Sequence, residues 1–352
     1  MSLNGDLLSE ILGRVDGITL ANAGCVSSEF RSIARQENMW EEACSNLWPS
    51  TVDTDVKQLI SSSLGGFRNF YANCFPCIAY ESSEKDFNCS EMKKICDDSL
   101  ELHSCDPSDF VSLVDVWYMD KIVYSKILWG IPNACNVEDW FCNRPFRVDF
   151  VDFWDLDNED PTTEDGFPTV VSFDKVRMED KSWGKLMENF RLTWILINRR
   201  TGEAANLSSW RPLLGEMFSD TDFFMQFGSL LPAQNILPFK DVQCIIAIKI
   251  RLSKDYHGNM KITELGMQVE DMMGGRVNGR NSLVILERAL SCRKSKEHHQ
   301  IFQSYQKYLS QQRKLKEAMV RNEGVLDTLC TLSAIVSFLS FCYLIFRMIC
   351  AI

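Results

Sequence analysis

The sequence is poor in the residues that do chemistry. Histidine occurs only four times in 352 residues, and His298 and His299 fall in a polar helical stretch where they read as solvated. No Ser–His–Asp set, phosphate-binding loop or dinucleotide fingerprint is present. Gly274-Gly275-Arg-Val-Asn-Gly279 lacks the preceding strand and following helix that a phosphate loop requires, so it reads as a turn. Catalytic residues are therefore expected to be none, and no cofactor is expected. Basic charge is also in short supply: 37 Lys and Arg face 48 Asp and Glu, for a net charge of -11. A nucleic-acid partner needs a basic face, so that class is excluded. The first residues, MSLNGDLLSEILGR, carry acids inside the apolar stretch and have no basic start, so they do not read as a secretory leader.

Cysteine, by contrast, is plentiful, with 14 scattered along the chain. That scatter, without a leader, reads as reduced thiols in a cytosol-facing protein. On this reading the sequons at Asn88 and Asn206 never meet a glycosyltransferase. Cys74-Phe-Pro-Cys77 has zinc-knuckle spacing, with Cys89, Cys96, His103 and Cys105 downstream. A zinc site wants a second tight pair, and His103-Ser-Cys105 is a poor one, so no metal is expected. The acidic insertion DFWDLDNEDPTTEDG reads as a solvated loop.

Five zones are expected: residues 1–48, compact helices; 49–108, a mixed connecting region; 109–290, a β-rich domain; 295–323, a polar stalk helix; and 326–347, a transmembrane helix. In the third zone, SLVDVWYM, KIVYSKIL, FRVDFVDF, TVVSF, LTWILIN, VQCIIAIKIRL and MKITELGMQVED recur at strand length. Turn signals at Arg200-Thr201-Gly202, Tyr256-His257-Gly258-Asn259 and Gly274-Gly275 separate several of them. The fold class is α+β, with a central, mostly antiparallel β-sandwich-like domain. At the N-terminus, Leu7, Leu8, Ile11, Leu12 and Val15 recur at helical spacing, with Asp6 placed to cap the first turn. Leu20, Ala23, Val26, Phe30 and Ile33 continue the apolar faces, and Trp40 closes the segment. Three short helices cannot bury this surface alone and need a neighbour.

These residues resemble an F-box. LNGDLLSEILGRV at 3–15, VSSEFRSIA at 26–34 and Trp40 follow the order of the family pattern. Asn4 stands where Pro is usual, Ser27 and Ser28 replace a Cys-Lys pair, and Phe30 stands where Trp is commoner. The resemblance implies a three-helix F-box that binds a Skp-class adaptor through Leu3, Leu7, Leu8, Ile11, Val26 and Phe30. Through the adaptor it implies a cullin and a RING subunit, with the β-rich domain recruiting a protein substrate. The body of the chain is similar to a small group of plant F-box proteins at Val114–Trp117, Phe146–Asp149, Trp194–Ser209 and Val269–Leu290. It also distantly resembles F-box proteins with a phloem-lectin-type sandwich. The alternative is a membrane-anchored lectin-like or other interaction protein not acting in a ligase; the lectin likeness implies Trp117, Trp140, Trp183, Trp194 and Trp210 as glycan platforms.

Towards the C-terminus, Ile301, Tyr305, Tyr308, Leu315 and Met319 form a partial stripe that Gln312 interrupts, the pattern of a stalk. Thr328 to Phe346 then carries no charged residue. At ~1.5 Å per residue it would reach roughly 28 Å, enough for a thin bilayer. Arg313, Lys314, Lys316 and Arg321 precede it, and Arg347 follows. The expectation is a single-pass tail anchor with the N-terminal body in the cytosol, the endoplasmic reticulum favoured, and a membrane as partner.

Overall fold

The N-terminus builds a layer of short helices whose ends are fixed by side chains. The computed structural model describes residues 5–79, 106–131, 142–151, 187–219, 222–252 and 260–350. α1 (Gly5–Leu12) and α2 (Gly17–Ala23) are followed by α3 (Ser28–Ala34) and α4 (Glu37–Leu47). A 3-10 turn at Pro49–Val52 leads into α5 (Thr54–Ser63) and α6 (Phe67–Cys74). Asp16, Ser27 and Asp53 cap α2, α3 and α5, each accepting from a backbone N–H of the first turn. The helices meet on an aromatic centre. Trp48 lies 5.5 Å from Phe70 and from Tyr71, and Trp40 lies 5.4 Å from Tyr71. Gly17 is required there, because a Cβ at that position would come within 2.3 Å of the Tyr71 ring.

The strands follow in chain order. They are β1 (Cys77–Ile78), β2 (Phe110–Tyr118), β3 (Lys121–Trp129), β4 (Arg147–Val151), β5 (Phe190–Asn198), β6 (Glu203–Asn206) and β7 (Leu214–Met217). β8 (Asp222–Pro232), β9 (Asp241–Leu252) and β10 (Met260–Glu270) precede α7 (Gly279–Leu290) and β11 (Lys294–Ser295). Two sheets result, with orders β11-β1-β6-β5-β2-β3 and β4-β10-β9-β8-β7. All described pairings are antiparallel except β1 with β6.

The first sheet is covered on both faces. Val114, Val116, Trp194 and Leu196 share one core with Phe227, Ile246, Ile248 and Met267 of the second sheet and with Leu283 and Leu286 of α7. On the opposite face, Val111, Leu113, Ile195, Ile197 and Ala204 share a second core with the helices, through residues such as Trp48, Val56, Ile60 and Phe70. The helices, the first sheet and the second sheet are therefore three successive layers, all within one compact unit, Met1–Tyr305. The neighbour that the N-terminal helices need for their inner face is this first sheet.

One buried carboxylate ties the helical layer to the sheet. Asp115 on β2 accepts from the backbone N–H of Ser50 at 3.0 Å, from the Ser50 hydroxyl at 2.6 Å and from the Ser125 hydroxyl of β3 at 2.6 Å. Burial pushes its pKa up to about 6, against the lowering effect of these hydrogen bonds.

Two segments singled out in the sequence have structural explanations. Contrary to the sequence reading, the Gly274-Gly275 segment does follow a strand, β10, and precede a helix, α7; Asp271 accepts from the N–H groups of Met273 and Gly275, closing it as a turn, and Asn278 caps α7 by accepting from Asn281 N at 2.9 Å. Asn206 is buried and accepts from Trp194 N and Ser208 N, so its side chain is engaged in the strand end.

The helix α8 (His298–Cys350) runs from the first unit through a second, Gln306–Ile352. The expected span Thr328–Phe346 lies on it, but the membrane expectation is corrected: no helix among the described residues is long and apolar enough to cross a membrane. Ser333, Ser337 and Ser340 interrupt this stretch, while the side chains of Cys342 and residues 344–346 lie outside the described residues. The transmembrane helix in the fold class, the tail anchor and the endoplasmic reticulum membrane localisation are withdrawn with it.

Candidate adaptor-binding surface

In α1, two interleaved pairs of apolar residues point in different directions. Leu8 and Leu12, one turn apart, are buried in the helical core, whereas Leu7 and Ile11 are 46% and 48% exposed. α1 packs against α3, and α3 packs against α2 and α4. At the start of α3, Val26 is 74% exposed, and Ile18 on α2 is also exposed. Phe30 is half-buried and leans on the helical core, while Ile33 one turn on is fully inside it.

Local hydrogen bonds hold this geometry. Ser27, which departs from the F-box pattern, is the N-cap of α3: its hydroxyl accepts from Phe30 N at 3.2 Å. Arg31 Nε donates to the carbonyl of Gly24 at 3.1 Å, pinning the α2–α3 corner, and the Trp40 indole donates to the Ala34 carbonyl at 2.8 Å. The structure thus separates the six expected contact residues. Leu7, Ile11 and Val26 are presented to solvent, Phe30 is partly presented, Leu8 supports the core, and Leu3 lies outside the described residues. Ile18 also belongs to the exposed set, and its position just after the Asp16 cap was the signal for it.

The other candidate sites are less eventful. Cys74 and Cys77 are buried thiols: burial pushes Cys74 far above the usual range and Cys77 up to about 12, so neither is a ready thiolate ligand. Cys89, Cys96, His103 and Cys105 lie outside the described residues, as does the acidic insertion. No group of three potential ligands for a metal ion occurs among the described residues. Trp194 is fully buried, donates to the Ser112 hydroxyl at 3.2 Å and meets Phe150 edge-on at 4.9 Å, so it is a core residue rather than a glycan platform. Trp140 and Trp183 lie outside the described residues.

Residues 1–42 match the F-box domain. The chain is 29% identical over 339 residues to an F-box protein of Arabidopsis thaliana, covering 94% of this chain and 91% of the relative. A second F-box protein of Arabidopsis thaliana is 28% identical over 299 residues, covering 83% of this chain and 74% of the relative. The F-box protein GID2 of Oryza sativa subsp. japonica is 42% identical over 72 residues, 20% of this chain and 34% of the relative. No solved structure matches the chain. The domain match and the similarity running through most of the chain support an F-box protein whose N-terminal helices are joined to a strand-rich body.

Proposed function

We propose that this chain is the substrate-receptor subunit of an SCF-type (Skp–cullin–F-box) ubiquitin ligase. Residues 1–48 bind a Skp-class adaptor, which bridges to a cullin and a RING subunit, and the β-rich region 109–290 recruits a protein substrate. The supporting observation is the split of α1 into a buried pair, Leu8 and Leu12, and an exposed pair, Leu7 and Ile11, beside the exposed Val26 of the α2–α3 corner. Apolar side chains left in water by a domain whose core is already filled mark a binding surface. Leu3 and Phe30 extend this contact, and Leu8 contributes by holding α1 in place. Ubiquitin transfer is done by the other subunits, with this chain supplying proximity and orientation.

Pull-down of the full chain by a Skp-class adaptor tests the assignment. Leu7→Asp with Ile11→Asp should weaken adaptor binding by roughly a hundredfold, since each removes about 1–2 kcal/mol of apolar contact, while the urea midpoint stays near that of the parent. Unchanged adaptor binding by this double variant would reject the surface.

A further inference from the structure

The second unit, Gln306–Ile352, contains one element among its described residues, the continuation of α8. A lone helix has no core of its own, and most helical stability in proteins comes from packing an apolar face. Eight large apolar side chains between Leu329 and Tyr343 are exposed. At ~100° per residue, six of them, Leu329, Leu332, Ile335, Val336, Leu339 and Tyr343, fall within about 120° of arc. Phe338 and Phe341 stand singly on the far side, and Ser333, Ser337 and Ser340 line one flank of the stripe. Single exposed apolar residues are ordinary, whereas a contiguous stripe marks a contact.

The stripe also has a period. Leu329, Leu332, Val336, Leu339 and Tyr343 follow one another at intervals of three, four, three and four residues, the a and d positions of a heptad repeat. Leu315, exposed as well, falls in the same phase earlier on the helix. A period of 3.5 residues drifts by about 20° per heptad around a straight α-helix, so it follows a second helix that coils with the first. Lipid would surround the helix and give apolar residues no reason to gather on one side. A second copy of the chain brings an identical stripe, and a two-fold contact between identical stripes is self-complementary. Thr328 to Phe346 carries no charge, so two copies meet there without like-charge repulsion.

The available area is sufficient. The five heptad residues from Leu329 to Tyr343 are 52% to 62% exposed. With Leu315 and Ile335, at roughly 60–100 Å² of apolar surface for each side chain, two copies would bury about 800–1,400 Å² together. A specific interface must clear about 1,000 Å².

We propose that α8 pairs with the α8 of a second copy of this chain, as a two-stranded coil along Leu329, Leu332, Val336, Leu339 and Tyr343. Leu332 and Leu339 at d with the β-branched Val336 at a fit two strands. The pairing goes beyond the receptor reading and stands without it; where that reading holds, each assembly carries two adaptor-binding surfaces.

Sedimentation equilibrium of the full chain in detergent-free buffer measures the pairing. Leu332→Glu with Leu339→Glu charges the stripe, and Ala334→Glu with Phe341→Glu places the same charge on the opposite side of the helix. All four positions are exposed and Glu is a good helix former, so circular dichroism should match the parent in both variants. The expected result is a parent of twice the chain mass and a stripe variant whose self-affinity falls about a hundredfold or more. The opposite-side variant should stay within about threefold of the parent. A monomeric parent, association to no defined size, a stripe variant that pairs like the parent, or equal loss in both variants overturns the proposal. Flotation of the parent with phosphatidylcholine vesicles, lost equally in both variants, also overturns it, since lipid would then cover the helix. Adaptor pull-down with the stripe variant should be unchanged, which separates failure of the pairing from failure of the adaptor surface.

Discussion

Replacing Asp115 by Asn isolates the cost of keeping a carboxylate between two layers. In the folded chain its pKa rises from 3.8 to about 6, because burial outweighs the three donors from Ser50 and Ser125. At 1.36 kcal/mol for each pH unit of that rise, the ionised form is destabilised by roughly 3 kcal/mol relative to the unfolded chain. The folded state therefore holds this proton more tightly than the unfolded state. Its contribution is fully present below about pH 4 and is lost as pH climbs through about 6. Asn has nearly the same shape, keeps an acceptor for the Ser50 N–H and does not titrate. Urea unfolding of both proteins from pH 4 to pH 7.5 should show the stability of the parent falling relative to Asp115→Asn by about 2–3 kcal/mol, with equal m-values. Other titrating groups are common to both proteins and cancel in the difference. A difference that stays flat with pH, or one in which the parent gains on the variant as pH rises, refutes the reasoning.

Further substitutions probe the layers separately. Tyr305→Phe removes the hydroxyl that accepts from Gln226 Nε2 at 2.7 Å and Gln243 Nε2 at 2.5 Å. Two buried amides lose a partner, and urea unfolding should register a loss of about 1–3 kcal/mol. Gly17→Ala drives a Cβ into the Tyr71 ring, and the melting midpoint should fall by several degrees for a cost of about 1–3 kcal/mol. Ser27→Ala deletes the α3 cap. Stability should drop by about 1 kcal/mol, and adaptor affinity measured by calorimetry should fall because Val26 and Phe30 flank the lost cap.

The helical spacing of the N-terminal residues made α1 to α3 legible, but it could not assign their faces. Leu7 with Ile11 and Leu8 with Leu12 fit helical spacing equally well, and only packing against the following helices and sheet decides which pair turns inward. The β-strands were visible as apolar runs. β2 and β5 show little alternation because both of their faces are covered, one by the second sheet and the other by the helices. α7 was hidden inside a strand-like zone: GRNSLVILERAL carries β-branched residues, and its helical start depends on the Asn278 cap. The cavity lined by Trp48, Phe75, Trp210 and Lys296 was not legible at all, since these residues become neighbours only after the layers assemble. The membrane reading took the run of apolar letters from Thr328 to Phe346 at face value, and among the described residues no helix sustains it.

The shared inner core of the helices and the first sheet has a consequence for shortened forms of the protein. A shortened chain lacking the helical layer would leave Val111, Leu113, Ile195 and Ile197 on an open, apolar sheet face. Such a product would aggregate or be degraded instead of persisting as a folded, strand-rich fragment. Shedding the adaptor-binding helices is thus not a route to a competing, inactive form. The architecture makes the helical layer and the sheets share one lifetime.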